Sequence, residues 1–406
     1  MSKINKEIVS IITNGLLSQA LPIAIIPILA RLYSPSDFGN YAIYFSMSAI
    51  CSMAMTLRYD SAIYNAKSIT QTVNLILVNI VTIVSVSIIS ILAYIILGLD
   101  REMTVYMLVY VLSSAALQAL VRVLQATILK KQNYKVYKRS LIIRSVFTSS
   151  LQLMFFEIQD GLILGSVVGF IISSLYMCGT SCSISLLYKK ICLKNLKLTC
   201  IKYKSFPMYS FPAVMINTVV NNALPIIIAS IYGVKEAGLY ALTQRILGMP
   251  TALIGNTLAQ YLMSKVSFAI HNKGFGLYEF TMKFIVFLSI SAFTLFGLVL
   301  ILPEFTYLWL FGTEWEGIKS ILISIVGFYF IRFIASPVSV VVQVNAKNKI
   351  ELSWQMLYSF SIAFATYFSY VMEFSMAHFL MLFSAVSVFL YILLVIINVR
   401  ESKKIN

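Results

Sequence analysis

Apolar residues in this chain come in blocks of about 20, and a block of that length crosses a hydrocarbon core of about 30 Å as one helix. The blocks recur through all 406 residues, at 9–32, 40–57, 72–97, 103–121, 140–156, 161–187, 210–232, 239–261, 280–302, 318–343, 352–371 and 378–399. Lipid offers no partner to backbone N–H and C=O groups, so each block must satisfy its own backbone as a helix. The expected fold class is therefore an all-α polytopic membrane protein with about twelve transmembrane helices. Only 11% of residues are charged, against about 25% in soluble domains, which excludes a soluble globule. The first block, Val9 to Leu32, is too long for the apolar segment of a secretory signal and reads as a retained helix.

The net charge of +16 in a soluble protein would point to nucleic acid. Here its placement gives another reading, with no nucleic acid partner. With the amino terminus inside, the even loops and both tails hold 24 of the 31 Lys and Arg, and the outer loops only four: Arg31, Arg101, Lys235 and Lys319. Ten of the fifteen acids fall on the outer side. This positive-inside bias predicts a multi-pass membrane protein with both termini cytoplasmic, its basic loops against membrane lipids. The five cysteines (Cys51, Cys178, Cys182, Cys192 and Cys200) are an odd number, with none in an outer loop, so no disulfide framework is expected. Cys178 and Cys182 share a helix face, but cysteine at such a position packs as a small apolar residue, and no metal or other cofactor is expected. Neither His271 nor His378 has a ligand-spaced partner.

The two halves of the chain repeat. Residues 14–23 read NGLLSQALPI and 217–226 read NTVVNNALPI, identical at five of ten positions at an offset of 203. Gly-X-Tyr-Ala follows each, at Gly39 to Ala42 and Gly238 to Ala241, offset 199. Six spans per half give both halves the same orientation: two parallel six-helix lobes, with a substrate path between them. The expected division is 1–187, a basic cytoplasmic linker 188–206, and 207–406. Pro22, Pro27, Pro212, Pro225, Pro250 and Pro337 all fall inside spans, where each removes a backbone donor and kinks its helix.

Chemistry inside the membrane is confined to a few residues. Every carboxylate lies in a loop or at a span end; Asp60, beside Arg58, reads as a surface ion pair. Three arginines lie within spans: Arg144 near the cytoplasmic end of the fifth, Arg245 in the eighth and Arg332 in the tenth. A mid-bilayer arginine costs about 3 kcal/mol to insert, so it must face a wet cavity or a partner. A guanidinium fork suits phosphate, which it can bind through two oxygens at once. Asn14 and Ser18 are four apart in the first span, and Asn217 and Asn221 repeat them in the seventh. Spacing of four stacks each pair on one helix face, able to line a path and hydrogen-bond a sugar. The seven residues form the candidate substrate-binding set. No nucleotide-binding loop, metal motif or nucleophile–base pair is present, and a non-enzymatic role is expected.

Two stretches resemble a known family. The first is ARLYSPSDFGNYAIY (Ala30 to Tyr44) with LRYDSAI (Leu57 to Ile63). The second is YKSFPMYSFPAVMINTVVNNALP (Tyr203 to Pro225) with AGLYALTQRILGMPTALIGNTLAQ (Ala237 to Gln260). Together they resemble the O-antigen flippases, the Wzx-type proteins of the multidrug/oligosaccharidyl-lipid/polysaccharide exporter superfamily. The resemblance implies a MATE-like, two-lobed inner-membrane protein. It would move a polyprenyl-diphosphate-linked oligosaccharide, on undecaprenyl diphosphate, from the cytoplasmic to the periplasmic leaflet by alternating access, in lipopolysaccharide or other surface polysaccharide biosynthesis. It also implies a cationic central cavity and, as partners, the polymerase and chain-length proteins of the same pathway. The alternatives are a multidrug or small-molecule antiporter of the same superfamily, and a membrane polymerase or ligase. The first would pair poorly with buried arginine, and the second would need a large outer catalytic loop.

Overall fold

A computed structural model describes residues 21–97, 105–158, 160–181, 193–271, 276–344 and 348–405. Asn14 and Ser18 lie outside the described residues. The described elements are helices: α1 (Ile26–Leu32), α2 (Pro35–Thr56), α3 (Tyr59–Ala62), α4 (Ile69–Leu97), α5 (Val105–Lys130), α6 (Tyr134–Met154), α7 (Gly161–Ser181) and α8 (Leu193–Lys202). After a π-helical turn at Phe206–Ser210 come α9 (Phe211–Tyr232), α10 (Val234–His271), α11 (Leu277–Ile301), α12 (Glu304–Phe311), α13 (Ile318–Val338), α14 (Val340–Val344), α15 (Asn348–Val371) and α16 (Met376–Ile405). Each expected span from the second onward coincides with one of the long helices. Among the described residues, seven stretches are long and apolar enough to cross a membrane; α2, α6, α10 and α15 are as long but more polar.

Several helices outrun their apolar windows. The fourth span was expected to stop at 121, yet α5 continues to Lys130 because Val123, Leu124, Ala126 and Ile128 are buried on its continuation. It is followed by a tight turn in which Gln132 takes a left-handed φ of 55°. Asn133 then caps α6 by accepting from the Val136 amide at 3.4 Å. Pro225 and Pro337 lie inside α9 and α13. Two residues after Pro337 the helix breaks, and the Val342 amide of α14 donates instead to Asn398 Oδ1 of α16 at 3.1 Å. A buried amide is costly to leave unpaired, and Asn398 removes that cost from the break.

The chain forms two compact units. One contains Asn40–Ile227; the other joins Ile26–Gly39 to Ile228–Asn406. The unit boundaries at 25/26 and 227/228 are 202 residues apart, so both repeats divide at equivalent points to within one residue. In the first unit, Tyr59, Ala62, Ile63, Leu75, Val123, Ala126 and Tyr203 form a buried cluster around α3, α4 and α5. Helix α8 joins it through Leu196 and Cys200. The Tyr59 hydroxyl donates to the Cys200 carbonyl at 3.5 Å, and its acidity is pushed to about 12 by burial, with Cys200 adding to the shift. In the second unit the core is aromatic: Phe328 meets Phe383 and Phe296 meets Phe333, edge to face, at 5.2 and 6.2 Å.

Candidate functional site

The second unit takes in the short helix α1 through reciprocal capping. Ser34 and Asp37 form a capping box at the start of α2: the Ser34 amide donates to Asp37 Oδ2 at 2.9 Å and the Asp37 amide to Ser34 Oγ at 3.2 Å. Pro35 takes the first helical position, where its missing N–H is not needed. The Ala30 carbonyl of α1 accepts from the Trp315 indole at 2.7 Å. Arg31 binds in the other direction, donating to the Leu310 carbonyl at 3.1 Å and to that of Trp309, at the carbonyl end of α12. Tyr33 is buried here, and burial pushes its hydroxyl up to about 12, with the Asp37 charge adding.

The repeated glycines meet in the same region. A Cβ on Gly39 would collide with the Val234 carbonyl, and one on Gly238 with the Pro35 carbonyl. Pro35 and Val234 are themselves 199 apart, the repeat offset. Residue i thus meets the partner of j, and j the partner of i, which is the signature of a two-fold contact. The starts of α2 and α10 are therefore related by a local pseudo-two-fold axis, and the glycines permit backbone approach there.

Arg245 is the twelfth residue of α10, about 17 Å along it. Its guanidinium lies 4.9 Å from the centroid of Phe38, which is fully buried and meets Trp315 edge to face at 5.1 Å. Arg332 is the fifteenth residue of α13, 5.4 Å from the Phe328 ring one helical turn earlier. Tyr240, Tyr329, Tyr358 and Tyr391 are close enough to interact with its charge. Trp354 stacks on Tyr358 at 5.1 Å, also by spacing of four, and closes on Tyr391 at 5.1 Å. Ring faces carry negative potential, so each guanidinium gains about 0.5–2 kcal/mol per well-placed ring.

The remaining candidates belong to the first unit. Arg144 was expected near the start of its span, but α6 begins at Tyr134, which places Arg144 at mid-helix. It is half-buried, 5.5 Å from the Phe170 ring of α7 and close to Tyr137. Asn217 and Asn221 are brought together on one face of α9: Asn221 Nδ2 donates to the Asn217 backbone carbonyl at 2.8 Å and to Asn217 Oδ1.

Asp60 does not form the expected surface pair with Arg58. It is 5% exposed, and its ion partner is Arg122 of α5, whose Nε lies 4.0 Å from Oδ2. The backbone turns it inward: Leu57 and Arg58 take left-handed φ angles of 47° and 65°, and Arg58 Nε reaches Ser210 Oγ at 3.4 Å. Such non-glycine conformations cost about 1–3 kcal/mol each and cluster at functional sites. Arg122 lies within α5, just beyond the expected end of that span at 121. It donates to Ser52 Oγ at 3.0 Å and to the Ser52 carbonyl. One turn away, Gln118 Nε2 donates to Ser48 Oγ at 3.0 Å. The signal was legible: Tyr44, Ser48, Ser52 and Thr56 on α2 face Gln118 and Arg122 on α5, both rows at spacing four.

A family model described as polysaccharide biosynthesis protein matches residues 28–320. A comparison with curated protein sequences finds no match. Among solved structures, the lipid II flippase MurJ in an inward closed conformation is similar with a TM-score of 0.69 at 12% identity, over 99% of this chain and 89% of that one. The MATE multidrug transporter DinF-BH matches with a TM-score of 0.64 at 16% identity, over 98% and 96%. A MOP superfamily transporter from Pyrococcus furiosus gives 0.55 at 11%, over 98% and 96%. The fold is that of these two-lobed transporters, and with the model covering most of its length, the chain belongs to the polysaccharide biosynthesis protein family.

Proposed function

We propose that this protein is a flippase that moves a polyprenyl-diphosphate-linked oligosaccharide, an O-antigen or related surface polysaccharide unit, between the leaflets of a bacterial inner membrane. The lobes are residues 1–187 and 207–406, with both termini cytoplasmic and transport by alternating access. The observation that carries this reading is that Arg245 and Arg332 stand well inside helices with their guanidinium groups against aromatic rings. A diphosphate is the ligand such cations suit, and a glycan the ligand that Asn217 and Asn221 suit. Family membership and the likeness to a lipid II flippase support it. No enzymatic step is assigned to the chain.

The purified protein in proteoliposomes should expose a fluorescent undecaprenyl-diphosphate-linked glycan to a membrane-impermeant quencher. Arg332→Ala and Arg245→Ala should lose most of this activity, and Arg→Lys should restore part of it. Full activity in both alanine variants at equal reconstitution removes the cationic site from the mechanism. The likeness to DinF-BH favours a second reading, drug export. Transport of a cationic dye without glycolipid movement would favour that reading and overturn ours.

A further inference from the structure

The LRYDSAI stretch builds a pair whose geometry is incomplete. Asp60 Oδ1 is buried with no hydrogen-bond partner, and Arg122 Nε is likewise buried without one. Their nearest approach, 4.0 Å, is too long for a hydrogen bond. The carboxylate and the guanidinium therefore attract each other while Oδ1 of one and Nε of the other go without a hydrogen bond. The rest of Arg122 is firmly held by Ser52, and its side chain is 26% exposed where that of Asp60 is 8% exposed. Arg58 Nε donates to Ser210 Oγ at 3.4 Å, and its charge is close enough to act on Arg122. The chain turns through left-handed φ angles at Leu57 and Arg58 immediately before it reaches Asp60.

We propose that Asp60 is an internal competitor for Arg122: it holds the guanidinium loosely when the site is empty, and yields it to a phosphate-bearing ligand that reaches the exposed side. This rests on the reading that the ligand carries a diphosphate. A close, doubly hydrogen-bonded Asp–Arg pair would neutralise the cation permanently, whereas a 4.0 Å pair keeps it available. A phosphate oxygen brings the short, charge-assisted contact that the carboxylate does not make. The competitor weakens retention of the ligand and so favours its release, an affinity set by a difference between two anions.

The test is binding of farnesyl diphosphate and of inorganic diphosphate to the purified full chain in nanodiscs. Asp60→Asn should tighten farnesyl diphosphate binding about tenfold, within the usual range of site-to-site coupling, and Arg122→Gln should weaken it by a similar factor. The double variant should bind like Arg122→Gln, because without the cation the carboxylate has nothing to compete for. Unchanged or weaker binding in Asp60→Asn at equal thermal stability overturns the proposal. So does tightening that persists in the Arg122→Gln background, which would make Asp60 a general repulsive charge. If Asp60→Asn does not fold, Asp60→Glu carries the test: its longer reach closes the pair and should weaken binding several-fold, and unchanged binding overturns the idea. Failure of the wild type to bind either probe overturns the diphosphate reading itself and this inference with it. Equal binding of both probes keeps the competition but removes the lipid as its source.

Discussion

Arg122 in the first unit and Arg245 and Arg332 in the second are held by opposite means, with Arg144 of the first unit resting on a ring as the second pair do. In the first, Arg122 is met by a hydroxyl, a carbonyl and a buried carboxylate. In the second, Arg245 and Arg332 are met by the faces of Phe38 and Phe328, with tyrosines around Arg332. The first arrangement offsets the charge, so removing one partner strands the other. In the second arrangement ring faces contribute to holding the guanidinium through their quadrupole. A guanidinium held partly by rings and one held by an ion pair should therefore respond differently to loss of the cation. Variants that remove each arginine should expose the difference.

The largest effect is expected at Arg122. Arg122→Met leaves the Asp60 carboxylate buried alone, a defect worth about 3–5 kcal/mol. Thermal unfolding in detergent should show it clearly, and Asp60→Leu in the same chain should recover much of the loss because two well-packed apolar residues can replace a buried pair. No recovery in the double variant would mean that the pair is not the seat of the defect. Arg332→Met, by contrast, takes a cation away from rings rather than from a buried carboxylate, and should cost no more than about 2 kcal/mol in the same measurement. If the two methionine variants are equally destabilised, the contrast between the two arrangements fails.

Between these lies a test of the repeat. Gly238→Ala forces the starts of α2 and α10 apart, because the added methyl meets the Pro35 carbonyl and backbone cannot swing aside. Overpacking of this kind costs about 1–3 kcal/mol. Gly39→Ala should do the same against Val234. Residues that meet in one contact are coupled, so the double variant should cost less than the two added together. Strict additivity in unfolding experiments would show two independent clashes and dissolve the pseudo-two-fold contact.

Much of this was legible in the sequence, and the reason is periodicity. Apolar blocks located the long helices, since lipid leaves the backbone no other choice. The repeat at offset 199 foretold that Gly39 and Gly238 are equivalent, though only the fold reveals that they touch. Arg245 and Arg332 could be singled out because a guanidinium inside an apolar run is an anomaly in one dimension. Their ring neighbours could not, since Tyr391 is 59 residues from Arg332 and aromatic residues are abundant throughout. Arg122 and Asp60 escaped for a different reason. Hydropathy windows end where polar residues begin, yet α5 continues for nine residues beyond the window because its inner face stays buried. Asp60 beside Arg58 looks like a surface pair in the sequence, and two left-handed residues turn it to the interior. Backbone handedness at non-glycine positions leaves no mark in composition.

The smallest effect sharpens the aromatic side of the contrast. Trp315→Phe should keep a ring near Phe38, preserving the bed on which Arg245 rests, while removing the indole donor to the Ala30 carbonyl. A buried acceptor left unpaired costs about 1–3 kcal/mol, and the end of α1 can recover part of that by relaxing, so roughly 1 kcal/mol is expected. The site itself should be spared: if the bed rather than the cap holds Arg245, glycolipid flipping by Trp315→Phe stays near wild type while Phe38→Ala loses it. Tryptophan emission gives the structural control, because Trp315 is fully buried whereas Trp309 is largely exposed, so the variant should lose the blue-shifted component. Loss of flipping in Trp315→Phe with Phe38 intact would shift the weight to the capping of α1, and the aromatic hold on Arg245 would then be packing alone.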